Sequence, residues 1–250
     1  MATAAPAAHA ARIDVNCDLG EVDGGSWAAS HEPPLLALVT SANVACGGHA
    51  GDDATMAAVC AAAAARGVAI GAQVSYDDRE GFGRVFRDVP ADELADSVRG
   101  QWRALDAHAR RAGARVAYVK PHGALYHAIV HHEPHARVVV ALAREAGVPL
   151  MCLPGALGAR LAGGAGVRHV PEWFADRGYR PDGTLVPRGE PGALVTDPAE
   201  VVRRVAAMLA ATPRPASICV HSDTPGAARL LGAVREALGS AGVTPAPFAT

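Results

Sequence analysis

A lysine and a histidine stand two residues apart where an apolar segment of the chain ends. Lys120 and His122, in "VAYVKPHG", follow small and β-branched residues that are typical of a buried strand. Pro121 has no N–H for a strand ladder, so the strand should stop there. Alternate residues of a strand share a face, and a buried ammonium is costly without an anion or a proton to transfer. The pair therefore predicts a catalytic site.

Carboxyl groups follow the first apolar segment, "RIDVNCDLGE". Asn16 and Asp18 alternate and should point to one side of a strand, and Glu21 lies just beyond. Two neighbouring carboxyl groups serve as general acid and general base when their surroundings separate their pKa values. The residues leave a second interpretation open, in which Asp18 caps a turn and Glu21 is solvated.

Other apolar segments also end in polar side chains. In "SANVACGGHAGD", Asn43 precedes a glycine-rich turn that carries His49, and a histidine in such a loop is seldom there for packing. Asp52 or Asp53 is predicted to cap the helix that follows. The later segments end in Gln73 and Tyr76, in Asp176 and Arg177, and in His221 and Asp223.

A histidine-rich stretch, "HHEPH" at 131–135, invites a metal interpretation. Its spacing matches no structural zinc pattern, and it does not follow a strand end. We therefore interpret it as the solvated start of a helix.

The elements that must position these side chains recur along the chain. Seven short apolar segments begin near residues 12, 38, 68, 116, 150, 167 and 217, and helical patterns separate most of them. Such alternation predicts a parallel sheet. A closed barrel brings every strand end to one rim, whereas an open sheet focuses fewer strands on one crevice. We therefore expect an irregular seven-stranded β/α (TIM-like) barrel, with a single domain over 12–250 and a disordered tail at 1–11.

One long segment, 177–198, has no helical pattern and holds four prolines and four glycines. Loops of this length in a compact domain are usually functional or disordered. We expect a turn-rich excursion over the rim of the barrel.

The composition excludes several classes of function. The formal net charge is -2, with no basic cluster, which argues against nucleic acid or an anionic membrane as partner. No apolar run is long enough to span a bilayer. The five cysteines form no CxxC pair, which fits reduced thiols in a cytoplasmic protein. A small molecule is the expected ligand.

Six ordered motifs resemble the LamB/YcsF family: "DVNCDLGE", "TSANVACGGHAGD", "GAQVSYDDREGFGR", "YVKPHGALYH", "FADRGYRPDGTLVPRGEPGAL" and "CVHSDTPGA". The resemblance runs from residue 12 to near 240. It implies a barrel akin to the glycoside hydrolase/deacetylase barrels. It also implies ATP-dependent hydrolytic opening of 5-oxoproline, a cyclic amide, to L-glutamate, carried out with partner subunits B and C.

Within that resemblance, residues of this chain take hypothetical roles. Asp18 or Glu21 is the general base toward water, and Lys120 stabilises oxyanion or phosphate charge. His49 and His122 are the candidates for protonating the departing nitrogen. Arg177 would hold the substrate carboxylate. The remaining expected substrate contacts are Asn16, Asn43, Gln73, Tyr76, Asp176, His221 and Asp223.

Two departures from the family pattern bear on the chemistry. The family more often has Phe and His where this chain has Gly48 and Gln73. Without a P-loop in the sequence, ATP is expected either at the partner subunits or at a site of another kind. Two rival functions remain: a metal-dependent amide hydrolase or deacetylase, using Asp18, His49 and His122 or His221, and a non-catalytic lactam-binding subunit.

Overall fold

Seven parallel strands close into a barrel in the computed structural model, which describes residues 11–22 and 26–249. Each strand pairs with the next, and the seventh pairs with the first. The predicted seven-stranded β/α barrel is confirmed. The strands are β1 (Arg12–Leu19), β2 (Ser41–Ala45), β3 (Ala69–Val74), β4 (Val116–Pro121), β5 (Leu150–Cys152), β6 (His169–Phe174) and β7 (Ser217–Cys219).

Helices connect the strands and cover the outside of the barrel. They are α1 (Pro33–Leu36), α2 (Asp53–Ala64), α3 (Ala91–Arg111), α4 (Gly123–His131), α5 (Glu133–Ala146), α6 (Leu157–Gly164), α7 (Pro198–Ala210) and α8 (Ala227–Ser240). Five of these coincide with the helical patterns that separate the apolar segments of the sequence, namely α2, α3, α5, α7 and α8, whereas α1, α4 and α6 are not predicted. Asp52 caps α2 as expected, since its side chain accepts a hydrogen bond of 2.8 Å from the Thr55 N–H.

The C-terminal segment closes the end of the barrel where the strands start. A short strand, β8 (Thr244–Pro245), pairs with β1 outside the ring. The ring of Phe248 then packs on Tyr118 with 5.0 Å between centroids. Arg168 donates a hydrogen bond of 2.8 Å to the Phe248 carbonyl. These contacts lie at the end of the barrel opposite to Lys120.

The barrel interior is polar along β1, unlike the stacked aliphatic layers common in such barrels. Asp14, Asn16 and Asp18 alternate inward and are almost fully buried. The Asp14 carboxylate accepts hydrogen bonds of 2.6 Å from Thr40 and Ser41. Burial nevertheless raises the pKa of Asp14 to about 6. Around this polar column the packing is apolar, and all five thiols are buried and outside any disulfide.

The segment 177–198 crosses the mouth of the barrel with two antiparallel bridges, Arg177 to Leu194 and Tyr179 to Leu185, and no helix or longer strand before α7 begins. This agrees with the expected excursion. The predicted N-terminal tail, 1–11, lies outside the described residues except for Ala11. Within the described part of the chain, no helix combines the length and apolarity needed to cross a membrane.

Candidate active site

A cavity of about 280 Å³ opens at the carboxyl ends of the strands. This is close to the lower limit of roughly 300 Å³ for small-molecule pockets. Residues of the segment 185–188 and the start of α4 form part of its walls. Five of the predicted site residues line it: Asp18, Lys120, His122, Arg177 and His221.

Lys120 is the buried cation at the floor of this cavity. Its Nζ lies 2.7 Å from Glu172 Oε1, 3.3 Å from Asp18 Oδ1 and 3.1 Å from Asn16 Oδ1. Burial opposes ionisation of both Lys120 and Asp18, but the ion pair prevails, so the Lys120 pKa is raised and the Asp18 pKa is well below its usual range. The Lys120 ammonium thus contacts two carboxyl groups, those of Asp18 and Glu172.

The two asparagines predicted to bind substrate lie one layer below the cavity. Asn43 donates from Nδ2 to Asp18 Oδ1 at 2.8 Å and to Asn16 Oδ1 at 2.7 Å. Asn16 in turn donates to Glu172 Oε1 at 3.1 Å. Neither asparagine lines the cavity. Both therefore position the carboxylates around Lys120 instead of contacting a ligand.

A second polar group, the Glu21 cluster, is formed by Glu21, His49, Gln73 and His122. Glu21 Oε1 lies 3.1 Å from His49 Nε2, 3.0 Å from Gln73 Nε2 and 3.2 Å from His122 Nδ1. The two imidazoles stack with centroids 3.6 Å apart. His122 joins this cluster to the cavity, because it belongs to both.

The hydrogen-bond partners of His49 determine where its protons lie. The Ser75 hydroxyl donates its hydrogen to the Tyr76 carbonyl, so it accepts from His49 Nδ1 at 3.0 Å. His49 Nε2 lies 3.1 Å from Glu21 Oε1. Burial opposes ionisation of Glu21, but the hydrogen bond from His49 outweighs it and lowers the Glu21 pKa. Glu21 is therefore a carboxylate that accepts a hydrogen bond from His49.

His122 is the neutral member of the stack. Its Nε2 donates to the Phe82 carbonyl at 3.0 Å, which leaves a lone pair on Nδ1. Gln73 donates to that lone pair at 3.0 Å. Burial, together with the electrostatic effect of the neighbouring His49 ring, lowers the pKa of His122 to about 4. The imidazole of the stack that borders the cavity, His122, is therefore neutral.

The Glu21 cluster also has the donor set of a metal site. One ligand atom each of Glu21, His49 and His122 lies within 4.8 Å of the others, and two histidines with a glutamate form a zinc site in some hydrolases. Gln73 points its amide N–H groups at two of these atoms, while its Oε1 is buried without a hydrogen-bond partner among the described residues. These three donors fit a divalent cation, and a turned Gln73 amide would offer Oε1 as well.

The metal set predicted from sequence differs from this one. Asp18 is bound to Lys120 and Asn43, and His221 is bound to Asp176, so neither joins the group. Glu21 takes the place that was predicted for Asp18. The sequence could have indicated Glu21 as a ligand, because it lies only two residues after the end of β1 and so at the same rim of the barrel.

Asp176 acts through His221. Its carboxylate lies 3.0 Å from His221 Nδ1 and accepts from the Thr224 hydroxyl at 2.5 Å. Burial opposes protonation of His221, but the Asp176 charge prevails and raises its pKa. His221 lines the cavity and Asp176 does not, so Asp176 is a positioning residue.

Arg177 is a buried guanidinium at the cavity wall. Its side-chain donors reach the Ala193 carbonyl at 3.1 Å and the Val186 carbonyl at 3.0 Å. No carboxylate in the described part of the chain lies within ion-pair distance of it. Asp223, by contrast, sits at the rim and pairs with Arg84 at 2.5 Å and Arg188 at 2.9 Å. Arg177 is therefore suited to an anionic ligand, whereas Asp223 is occupied.

Tyr76 lies outside the site, contrary to prediction. Its hydroxyl is 2.7 Å from His135 Nδ1, on the outer side of the barrel wall. β3 ends at Val74, so strand alternation no longer fixes the direction of residue 76. The same contact corrects the interpretation of "HHEPH", because His135 is fully buried and not solvated.

Sequence reasoning missed two buried glutamates. Glu172 could have been found from the alternation of Val170, Glu172 and Phe174 along β6, all of which are buried. Glu32 has no such signal. Its carboxylate accepts from the Gly20 N–H at 2.6 Å and from the Glu21 N–H at 3.0 Å, and so holds the turn that carries Glu21.

Gly48 leaves space that another side chain fills. A Cβ at this position would lie 2.4 Å from Ser75 Oγ and 2.7 Å from Gln101 Nε2. Gln101 reaches in from α3 and bonds both backbone groups of Ser75 at 2.9 Å. The Gln101 amide therefore supports the strand end beside Gly48.

Comparison with known proteins gives consistent matches over nearly the whole chain. The model of the LamB/YcsF family matches residues 13–250. A protein of Streptomyces coelicolor, named as the A subunit of 5-oxoprolinase, is 53% identical, with 95% of this chain and 100% of the relative covered. The crystal structure of a lactam utilization protein from Thermus thermophilus superposes with a TM-score of 0.86 at 37% identity, covering 95% of this chain and 100% of that protein.

The fold extends to more distant enzymes. A family 4 carbohydrate esterase from Streptomyces lividans superposes with a TM-score of 0.51 at 10% identity, covering 94% of this chain and 91% of the esterase. At that identity the likeness shows the barrel alone.

Proposed function

Because the chain belongs to the LamB/YcsF family, we propose that it is the A subunit of a 5-oxoprolinase, which opens 5-oxoproline to L-glutamate with ATP and subunits B and C. Relatives about half identical over nearly their full length carry that name. The observation that carries the proposal is the cavity itself, which is lined by Lys120, by Arg177 and by His122, the member of the Glu21 cluster that reaches it.

The reaction needs an activated amide. A five-membered lactam resists attack by water, and transfer of a phosphoryl group from ATP to the amide oxygen would make the carbonyl carbon electrophilic. Attack by water, cleavage of the C–N bond and release of phosphate then give L-glutamate. The sequence has no P-loop, so the nucleotide is bound by the partner subunits or at a site of another kind.

Glu21 is the better candidate for the general base. The pKa values of both carboxylates are lowered, but Asp18 is in addition held by the Lys120 ammonium and by Asn43, which makes it the poorer proton acceptor. Glu21 is hydrogen-bonded to His49, so a proton that Glu21 takes from water can pass on to the His49 ring. In this proposal the His49 and His122 stack supplies the proton to the ring nitrogen.

Lys120 and Arg177 are the cations proposed to bind the negatively charged groups of the substrate. Lys120 would stabilise the negative charge that develops on the carbonyl or phosphoryl oxygen. Arg177 would bind the substrate carboxylate through its planar fork. His221, held by Asp176, would help to orient the ring of the substrate.

The experiment that tests the proposal is glutamate release from 5-oxoproline and ATP. The purified chain is assayed alone and then with subunits B and C, and glutamate and ADP are quantified. Glutamate formed in a 1:1 ratio with ADP in the complete mixture supports the proposal. Binding of 5-oxoproline by calorimetry without glutamate formation in that mixture would make the chain a lactam-binding subunit.

The Glu21 cluster favours one second candidate, a metal-dependent amide hydrolase. Glu21, His49 and His122 would hold the cation, which would supply an activated water and polarise the amide carbonyl. Metal analysis of the purified chain and chelator treatment separate the two functions. Amide hydrolysis without ATP that is lost on chelation and restored by zinc would favour the metal enzyme.

A further inference from the structure

A second group of metal-ligating side chains lies outside the barrel, at the start of α5. One ligand atom each of Asp88, His132 and His135 lies within 4.8 Å of the others. Asp88 comes from the segment before α3, and the two histidines come from the junction of α4 and α5. The site would therefore join two parts of the chain that are more than 40 residues apart in sequence.

His132 is ready to bind a cation. Its Nδ1 is buried and has no hydrogen-bond partner among the described residues, which is uncommon for a buried nitrogen. Asp88 is exposed and forms no ion pair with any described residue.

His135 is oriented by two partners. The Tyr76 hydroxyl lies 2.7 Å from Nδ1, and the Val89 carbonyl lies 3.0 Å from Nε2. Because a carbonyl can only accept, Nε2 carries the proton and Nδ1 carries the lone pair. This lone pair accepts the hydrogen bond from the Tyr76 hydroxyl, and a cation bound at Nδ1 would replace that hydrogen bond. A bond from the second ring nitrogen to a neighbouring oxygen is what orients metal-bound histidines in proteins.

The donor types indicate the class of cation. Two imidazoles and one carboxylate suit zinc and similar transition metals, whereas calcium and magnesium prefer oxygen ligands alone. Three protein ligands also leave a coordination position open.

We propose that Asp88, His132 and His135 form a second metal site, which takes Zn²⁺ or a similar divalent transition metal and fastens the segment 84–90 to the start of α5. The same segment carries Arg84, which lines the cavity, and Phe86, whose ring packs 5.5 Å from His132 and 5.8 Å from His135 between centroids. The cation thus holds a wall of the cavity without touching the reacting groups.

The test is zinc binding by the full-length chain after removal of metals with a chelator. All measurements are made in a His49→Ala background, so that the Glu21 cluster does not contribute, and a Glu21→Gln background replaces it if that variant fails to fold. Zinc affinity is measured by competition with a chromogenic chelator for three further variants: His132→Ala, Asp88→Asn and His131→Ala. His131 is the matched control, because it is exposed, adjacent and outside the group.

The expected result is a loss of zinc affinity of at least about tenfold for His132→Ala and for Asp88→Asn, with His131→Ala unchanged. Cobalt(II) should give visible absorption bands that disappear in the first two variants only. Equal affinity in the His132→Ala and His131→Ala variants overturns the proposal. Absence of zinc binding in both barrel-site backgrounds overturns it as well, because the metal would then belong to the Glu21 cluster.

Discussion

At the scale of single residues, Glu21 is the side chain on which the proposed chemistry depends most directly. It meets both imidazoles and Gln73 through one carboxylate oxygen. Lys120 is a less informative target, because its removal would leave Asp18 and Glu172 buried without a cation. Breaking a buried pair in this way costs about 3–5 kcal/mol of stability.

Glu21→Gln should abolish most glutamate formation while the chain stays folded. The amide keeps the shape of the side chain but cannot accept a proton from water, so we expect kcat to fall by about 10²-fold or more. The measurement is the glutamate assay with subunits B and C, together with a thermal melt. Glu145→Gln is the control, since Glu145 is exposed and pairs with Arg99 on the outer surface. Equal rates in the two variants would remove Glu21 from the mechanism.

The buried imidazole of His122 should make the fold sensitive to mild acid. Its pKa is about 4 in the folded chain, against an ordinary value of 6.5, so between these values the unfolded chain binds a proton that the folded chain does not. The free energy of unfolding should therefore fall as the pH falls from 6.5 to 4, by up to about 3 kcal/mol.

The check compares urea unfolding at about pH 7 and about pH 5 for the chain, for His122→Asn and for the exposed control His131→Asn. Asp14, with a pKa of about 6, acts in the opposite direction over part of this range, so the difference between chain and variant is the quantity to measure. The pH dependence should shrink for His122→Asn only. An unchanged dependence in that variant would contradict the pKa assigned to His122.

Much of the site could be predicted at this scale, because strand alternation is a strict rule. It placed Asp18, Lys120 and His122 correctly at the cavity. It could not say which polar residues face a ligand and which face each other. Asn43 contacts Asp18 because the β1 and β2 register places the two residues side by side, and that register is set by the closure of the barrel.

At the scale of elements, the loop after β3 positions the imidazole stack. Gly83 has a φ of +65° and lies so close to the stack that a Cβ there would be 2.8 Å from His49 Cβ and 3.1 Å from His122 Cδ2. The Gly83 carbonyl also accepts from the Ala124 N–H at 2.8 Å, which ties the loop to α4. The loop therefore packs against both imidazole rings and limits their movement.

Gly83→Ala should lose activity out of proportion to stability. Gly113 offers a matched control, since its φ is +75° and nothing lies within 4 Å of a Cβ built on it. Both alanine variants should lose about 1–2 kcal/mol of unfolding free energy from the left-handed backbone. Only Gly83→Ala displaces the stack, and we expect its kcat to fall at least about tenfold. Chemical denaturation and the glutamate assay check both parts, and equal activity in the two variants would contradict the role of the loop.

The elements that sequence reasoning missed are short ones at strand ends. α4 begins at Gly123, directly after the strand that carries Lys120, so one stretch of sequence holds both a strand end and a helix start. Periodicity needs more residues than such a junction provides. The longer helices α3, α5 and α8 were predicted because each repeats its apolar face over several turns.

At the scale of the whole molecule, one end of the barrel holds the cavity and the other contributes packing contacts. The carboxyl ends of the strands hold the cavity, and the opposite end is closed by the C-terminal segment through Phe248 and Tyr118. Stability and chemistry can therefore be tested independently in this fold.

Phe248→Ala should destabilise the chain without changing its chemistry. The ring is half-buried, so its removal should lower the free energy of unfolding by about 1–2 kcal/mol. The value of kcat should match that of the unaltered chain, because the ring lies at the far end from Lys120. Denaturant unfolding and the glutamate assay measure the two quantities. A large fall in kcat with unchanged stability would show that the two ends of the barrel are coupled.

All five thiols are buried, so a thiol can react with a reagent in solution only when the part of the fold around it opens. Cys17, Cys152 and Cys219 lie on β1, β5 and β7, whereas Cys60 lies on α2 and Cys46 follows β2. Burial raises the pKa of Cys60 and Cys152 to about 12, so neither reacts as a thiolate while the chain is closed. A pulse of alkylating reagent followed by peptide mapping would then rank the strands by how often each one opens, without any introduced label.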